Sequence, residues 1–402
     1  MRMLYEAERH EPLTSLAWDE ARARGAIRDI AADMERALGA GDGWPPHPLD
    51  DEKATAPHHS LYLGASGALW ALWHLAREGA VELAFDPCAR IARVPAHYLA
   101  TPDTEEVVPS YFLGEAGVLL IAWRMTRDAA LVDRLHDAIA RNIGNPTNEA
   151  LWAAPGTMVA AWHMLQWTGE ARWRELYLAN VEHVWSLWQP SEHAPCMMWT
   201  QDLYGRIVQL LGAGHGFAGN AYGLLIGAAE IGATRLAELV ARCATTLGVT
   251  ALREDGVANW PPGVGPPRPG RSNVLVQWCH GAPGIVTSLA RLPRGMSTEL
   301  DALLLAGGEL TWRAGPLAKG AGLCHGTAGN GYAFLALYQR TGDPVWLERA
   351  RAFAMHAIVQ QEAMHARYGR GRYTLWTGDP GVAVYLWHCV QGAGGLPGLD
   401  VL

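Results

Sequence analysis

Alternating runs of valine, isoleucine and threonine are nearly absent from these 402 residues, so the usual signal of half-buried strands is missing. No lysine and arginine cluster breaks the chain and its net charge is −8, which argues against nucleic acid as the main partner. No uninterrupted apolar run reaches the roughly 18 residues of a membrane span, and no membrane partner is expected. The opening residues do not read as a signal peptide. Six cysteines in a chain this long make no disulfide scaffold; with no export signal, a reducing cytoplasm is the expected compartment. Charged residues are only 18% and hydrophobic residues 50%, so the core is expected to be large, and a monomer is expected.

Glycine is abundant, and it is spaced. A Gly-x-x-Gly step appears at Gly64 to Gly67, Gly114 to Gly117, Gly216 to Gly219, Gly281 to Gly284, Gly326 to Gly329 and Gly378 to Gly381. A degenerate copy, Ala153-Ala154-Pro155-Gly156, fills the gap after the second. Seven copies at intervals of about 39 to 65 residues signal a recurring supersecondary unit. Each step runs into a segment apolar on every face, as in Val118-Leu119-Leu120-Ile121-Ala122-Trp123, which reads as a buried helix. Amphipathic stretches such as Trp346-Leu347-Glu348-Arg349-Ala350 lie between them and read as outer helices. The expected fold is all-α, a seven-fold double α-toroid of inner and outer helices.

The turn into each inner helix is expected to need glycine for unusual backbone angles and close packing. It is also expected to leave free N–H groups and helix dipoles aimed at one mouth of the ring. Residues 1–56 lie outside the repeat, as a helical extension (22–38) and a polar linker (41–57); the toroid domain is expected over 57–402. The irregular stretch 260–271 is expected over the mouth.

Two of the steps carry chemistry. Trp278-Cys279-His280-Gly281 and Leu323-Cys324-His325-Gly326 place a Cys-His pair at the same point of two repeats. Thiolate and imidazole are preferred zinc ligands, and Cys279, Cys324 and His325 would leave a fourth position open, as in catalytic zinc sites. His280 would close the site as a fourth ligand; a place behind the ligands or facing the cavity is the preferred reading. His215 precedes Gly216 at the corresponding point and is a candidate general acid or base. Glu149, four residues before the degenerate step, is a candidate to orient His215 or to move a proton itself. Lys319, Arg271, Arg370 and Arg372 are candidates to hold substrate carboxylates, and Trp199, Trp260 and Trp376 to line the opening. Cys88, Cys196, Cys243 and Cys389 default to the core.

With Gly214-His215-Gly216-Phe217-Ala218-Gly219, Trp278-Cys279-His280-Gly281-Ala282-Pro283-Gly284 and Gly322-Leu323-Cys324-His325-Gly326-Thr327-Ala328-Gly329-Asn330, the chain resembles the lanthionine synthetase C-like family over roughly residues 58–390. The resemblance implies a double α-toroid, zinc on Cys279, Cys324 and His325, and a catalytic acid/base at His215. Glu149, where the bacterial cyclases usually carry aspartate, and Asn259-Trp260-Pro261-Pro262 resemble the eukaryotic-type branch. That branch binds glutathione and is associated with adding it to dehydroamino acids in proteins; Lys319 resembles a lysine near its glutathione site. Two positions depart from the pattern: Ala153 replaces a glycine, and Leu275 stands where cyclases carry arginine. The expected activity is zinc-dependent addition of a thiol, from glutathione or a peptide cysteine, to dehydroalanine or dehydrobutyrine in a peptide or protein. A lanthipeptide cyclase proper and a non-catalytic zinc or glutathione binder are the alternatives.

Overall fold

Helices that are apolar all round are stable only when other helices surround them, and that requirement shapes the chain. The computed structural model describes residues 4–39, 42–50, 56–267, 270 and 274–402. A first helix, α1 (Glu20–Ala37), precedes the repeats. Then α2 (Ala65–Arg77) is followed by the short α3 (Pro87–Ile91) and α4 (Val94–Ala100), α5 (Glu115–Thr126) by α6 (Val132–Asn142), and α7 (Ala154–Thr168) by α8 (Ala171–Ser186). The series continues with α9 (Phe217–Ile226) and α10 (Ala228–Thr250), α11 (Ala282–Leu289) and α12 (Thr298–Ala314), α13 (Thr327–Thr341) and α14 (Pro344–Tyr368), and ends with α15 (Asp379–Gln391).

Helices α2, α5, α7, α9, α11, α13 and α15 each pack on the next, and α15 returns to α2. They form a closed inner ring, and the helices between them form the outer layer. The protein is an all-α double toroid. Outer helices are one-sided: α6 buries Leu135, Ala138, Ile139 and Asn142, the i, i+3, i+4, i+7 face. α1 packs on α15 and buries Ala23, Ile27, Ile30, Ala31 and Met34, taking beside α15 the place that an outer helix takes beside the other inner helices.

The loop before each inner helix folds under its own helix. In five of the seven inner helices a first-turn N–H is taken by the carbonyl seven residues back: Ala65 by His58 (2.9 Å), Glu115 by Val108 (2.8 Å), Ala218 by Leu211 (3.1 Å), Thr327 by Gly320 (2.9 Å) and Asp379 by Arg372 (2.7 Å). In α11 the Asn259 side chain does this, accepting from the Ala282 N–H at 3.0 Å. These bonds overturn the expectation of free N–H groups aimed at the mouth, because buried first-turn donors must find partners and the loop supplies them.

The curl is possible only where the second glycine of the step has no side chain. A Cβ there would lie 1.7–2.3 Å from the carbonyl oxygen six residues earlier, in all seven copies, from Gly67 against Leu61 to Gly329 against Leu323. Unusual backbone angles are not the general reason for glycine: the first position is extended in six copies, Ala153 included, and only Gly281 has a positive φ, of 104°.

Strands among the described residues are short. Gln201–Asp202 (β1) and Ile207–Leu210 (β2) form a hairpin, and Gly263–Val264 (β3) adds to β2. Gly263 and Val264 thus join the sheet, while Arg268 and Arg271 lie outside the described residues. At the other end the tail fills the lumen: the Gly398 carbonyl accepts from Tyr111 Oη (2.5 Å), that of Leu399 meets His163 Nε2 (2.8 Å), and that of Leu402 accepts from Arg124 Nε (3.2 Å). The ring is therefore a cup with one opening.

Gly329→Ala is expected to destabilise the fold by about 3 kcal/mol or more, since backbone on backbone has no way to yield. Gly25→Ala in α1, where a Cβ meets nothing within 4 Å, is expected to stabilise it by about 1 kcal/mol. Chemical denaturation of the two variants measures both.

Candidate metal and acid–base centre

Residues at one point of the repeat, five before the second glycine, hydrogen-bond around the mouth through their backbones. The Gly214 N–H donates to the Cys279 carbonyl (3.4 Å), Cys279 to Cys324 (3.1 Å), Cys324 to Trp376 (2.8 Å), Trp376 to Tyr62 (3.3 Å) and Tyr62 to Phe112 (2.9 Å). Cys279 and Cys324, 45 positions apart in sequence, are thereby neighbours in space. The next residue of each repeat forms the layer nearest the opening, in which Trp152, His215, His280 and His325 occupy four successive places.

The donor atoms of Cys279, Cys324 and His325 all lie within 4.8 Å of one another, the only such group among the described residues. Both thiols are buried and His325 is half-buried. The thiols share their protons unequally. Cys324 is held well below the usual thiol range, first by the hydrogen bond from Cys279 and then, against burial, by His325 and the Tyr62 hydroxyl. Cys279 is pushed up by that same bond and by burial. Gln277 Nε2 donates to Cys279 Sγ at 3.1 Å. Two soft sulfurs, one imidazole and polar donors behind the sulfurs fit a borderline-soft divalent ion such as zinc.

One place along the layer from His280 stands His215, their ring centroids 6.2 Å apart. His215 Nδ1 lies 3.0 Å from Glu149 Oε2. Glu149 is 0% exposed, and its carboxylate also accepts from the Leu151 N–H (2.9 Å) and the Trp152 N–H (2.8 Å). Three donors offset the desolvation of a buried carboxylate. Burial disfavours the imidazolium, but the Glu149 hydrogen bond and charge outweigh it, and the His215 pKa is raised above 6.5. Nε2 is left for chemistry in the cup.

A small cavity, open to solvent, lies beside His325 and is lined by His47, Lys319, Arg370, Arg372 and Gln361. Lys319 is exposed there. Arg372 is already paired: its Nε donates to Asp50 Oδ1 at 2.9 Å, and Nη2 reaches the same carboxylate. Arg370 Nη2 donates to the Pro46 carbonyl at 2.9 Å. Residues 46–50 of the N-terminal segment thus wall this side of the mouth.

The tryptophans expected at the opening are instead fully buried. Trp199 stacks on Trp188 at 4.1 Å, Trp260 Nε1 donates to Leu247 O (3.0 Å), and Trp376 lies between Tyr62 and Trp278. Large rings fill space between helix layers, and a closed cup leaves little rim for them. Cys196, Cys243 and Cys389 are buried and Cys88 is half-buried, none of them in the cluster.

Sequence reasoning missed four residues. Tyr62 occupies the repeat position of Cys279 and Cys324, and Trp152 that of His215, so aligning the repeats would have found both. Gln277 and Tyr204 sit in irregular segments and gave no signal. Tyr204 Oη accepts from Trp152 Nε1 at 3.0 Å, and its ring stands edge-on to His215, with 6.1 Å between centroids.

Residues 59–392 match the family profile described as lanthionine synthetase C-like protein. Over 166 residues the chain is 37% identical to glutathione S-transferase LANCL1 of Danio rerio, covering 40% of this chain and 38% of that protein. Over 134 residues it is 40% identical to LanC-like protein GCL1 of Arabidopsis thaliana, covering 32% and 30%. The matched stretches are well short of either relative's full length. Nisin cyclase superposes with a TM-score of 0.58 at 12% identity, covering 94% of this chain and 100% of that one, a likeness of fold. With the profile spanning most of the toroid and both Cys-His steps inside it, the chain belongs to the lanthionine synthetase C-like family.

Proposed function

We propose that this protein adds a thiol to the β-carbon of dehydroalanine or dehydrobutyrine in a peptide or protein, with zinc held by Cys279, Cys324 and His325. The observation that carries the reading is a buried group of two cysteines and a histidine in the same arc of one cup as a Glu149-backed imidazole. When bound, the metal supplies the positive charge that keeps an incoming thiol ionised near neutral pH. Tyr62 and Gln277 orient the two sulfurs through hydrogen bonds, as outer partners of metal ligands do. His215, kept protonated by Glu149, delivers a proton to the α-carbon after the carbon–sulfur bond forms. Closure of the lumen by the tail confines the exchange to one side.

Glutathione is the proposed thiol donor. Its two carboxylates suit the cationic cavity beside His325, where Lys319 is the exposed cation and Arg372 is held by Asp50. The name of the Danio rerio relative and the glutamate at position 149 support the same choice. A cytoplasmic monomer is proposed with it. No helix among the described residues is long and apolar enough to cross a membrane.

The deciding experiment is mass spectrometry of a dehydroalanine peptide incubated with the protein, with and without zinc. One arm offers glutathione and the other a cysteine within the peptide. Zinc-dependent gain of one glutathione is the expected result; loss of the free cysteine without mass change would instead identify a cyclase. Absence of reaction in both arms, with zinc bound, would leave a binding protein.

Metal analysis provides a second check. Cys279→Ala is expected to purify without stoichiometric zinc, and Tyr62→Phe to weaken zinc binding about tenfold in a chelator competition.

The proton-donating step has a pH dependence of defined sign. His215 acts in its protonated form, so activity falls as pH rises through its raised pKa. Glu149→Gln removes the charge that raises it, so the alkaline limb of the kcat profile is expected to move to lower pH. An unmoved limb would remove His215 from the role.

A further inference from the structure

Tyr204 and Gly205 are the two loop residues of the β1–β2 hairpin, closed by Leu203 N–H to Arg206 O (2.8 Å) and Arg206 N–H to Leu203 O (3.1 Å). Their φ angles are 52° and 71°, both positive, as a type I′ turn requires. Asparagine, aspartate or glycine fit the first of these places without strain; tyrosine does not. The ring gains little burial in exchange, since Tyr204 is 71% exposed. Residues held in sparsely populated backbone regions concentrate where function requires them.

What the position does secure is a place beside the chemistry. Tyr204 Oη accepts from Trp152 Nε1, the Trp152 N–H donates to Glu149, and Glu149 holds His215. Trp152 therefore holds the hydroxyl through its indole and the carboxylate through its backbone N–H, and the carboxylate holds the imidazole. Trp152 and His215 are adjacent places of the mouth layer, and His280 and the metal-cluster His325 follow. A phenol that accepts one hydrogen bond keeps its own proton to donate. Among the described residues that proton has no acceptor. Of the cations considered for substrate carboxylates, Arg372 is tied to Asp50, Lys319 and Arg370 line the cavity beside His325, and Arg271 lies outside the described residues.

Resting on the thiol-addition reading, we infer that Tyr204 donates a hydrogen bond to the carbonyl oxygen of the dehydroamino acid and stabilises the enolate formed there. As the S–C bond forms at the β-carbon, the C=C pair shifts between the α-carbon and the carbonyl carbon, and the carbonyl π pair moves onto that oxygen. The pair returns when His215 delivers its proton to the α-carbon, and solvent restores the imidazolium with the proton equivalent that the thiol lost. A preset donor at the atom where charge develops acts mainly on kcat. The Trp152 bond presets this one.

The test uses the zinc-loaded protein, a dehydroalanine peptide and glutathione, with kcat and KM resolved. Tyr204→Phe keeps the ring and the turn; it is expected to lower kcat roughly a hundredfold with little change in KM. Tyr204→Asn relieves the turn, so it is expected to raise Tm while losing at least as much kcat, which a purely structural tyrosine would not do. Wild-type kcat in Tyr204→Phe would overturn the role while leaving the addition reading intact. If the wild-type protein itself turned over no thiol, the addition reading would fall and the role with it.

Discussion

A carbonyl oxygen pressed against a glycine that has no Cβ, seven times over, is the contact on which the rest depends. It lets the loop before each inner helix curl beneath its own helix, where in five of the seven a carbonyl seven residues back takes a first-turn N–H. The curl brings the residue five before each second glycine to a common level. Backbone hydrogen bonds then run from Gly214 through Cys279, Cys324, Trp376 and Tyr62 to Phe112. Without that level, the two cysteines would belong to separate helix pairs. With it, they sit side by side in a cup closed by the tail.

The same geometry explains why the mouth is not the field of helix dipoles that its glycines suggest. A buried N–H without a partner costs about as much as a lost hydrogen bond, so the loop satisfies it locally. Polarity in the cup comes instead from side chains one residue further along. Glu149 raises the pKa of His215 against burial, and Cys279 lowers that of Cys324, each pairing being made across repeats. Buried ionisable groups in such pairs are where shifted pKa values and chemistry coincide.

Much of this was legible in the chain. The spacing of the glycine steps and the apolar runs behind them specify a seven-fold helical ring, because a helix apolar on all sides has to be enclosed. The Cys-His pairs stand in register, so their convergence follows from the repeat itself, and so does the place of His215. Tyr62 and Trp152 were legible by the same register and were passed over, since tyrosine and tryptophan in an apolar segment usually mean packing.

Other features had no sequence signal. Gln277 and Tyr204 reach the site from irregular segments whose path depends on what they pack against. Arg372 looks like a free cation until Asp50, more than 300 positions away, is seen to hold it. Trp199, Trp260 and Trp376 look equally able to line a rim or fill a core, and only the closed cup decides for the core. Period and register are local properties, repeated until they determine a ring, and the sequence by itself determined the ring, its seven-fold order and its pair of Cys-His steps. Which cations stay unpaired, which donors reach the sulfurs and which hydroxyl stands beside the imidazole were decided by tertiary structure alone, because each depends on contacts between segments that share no spacing.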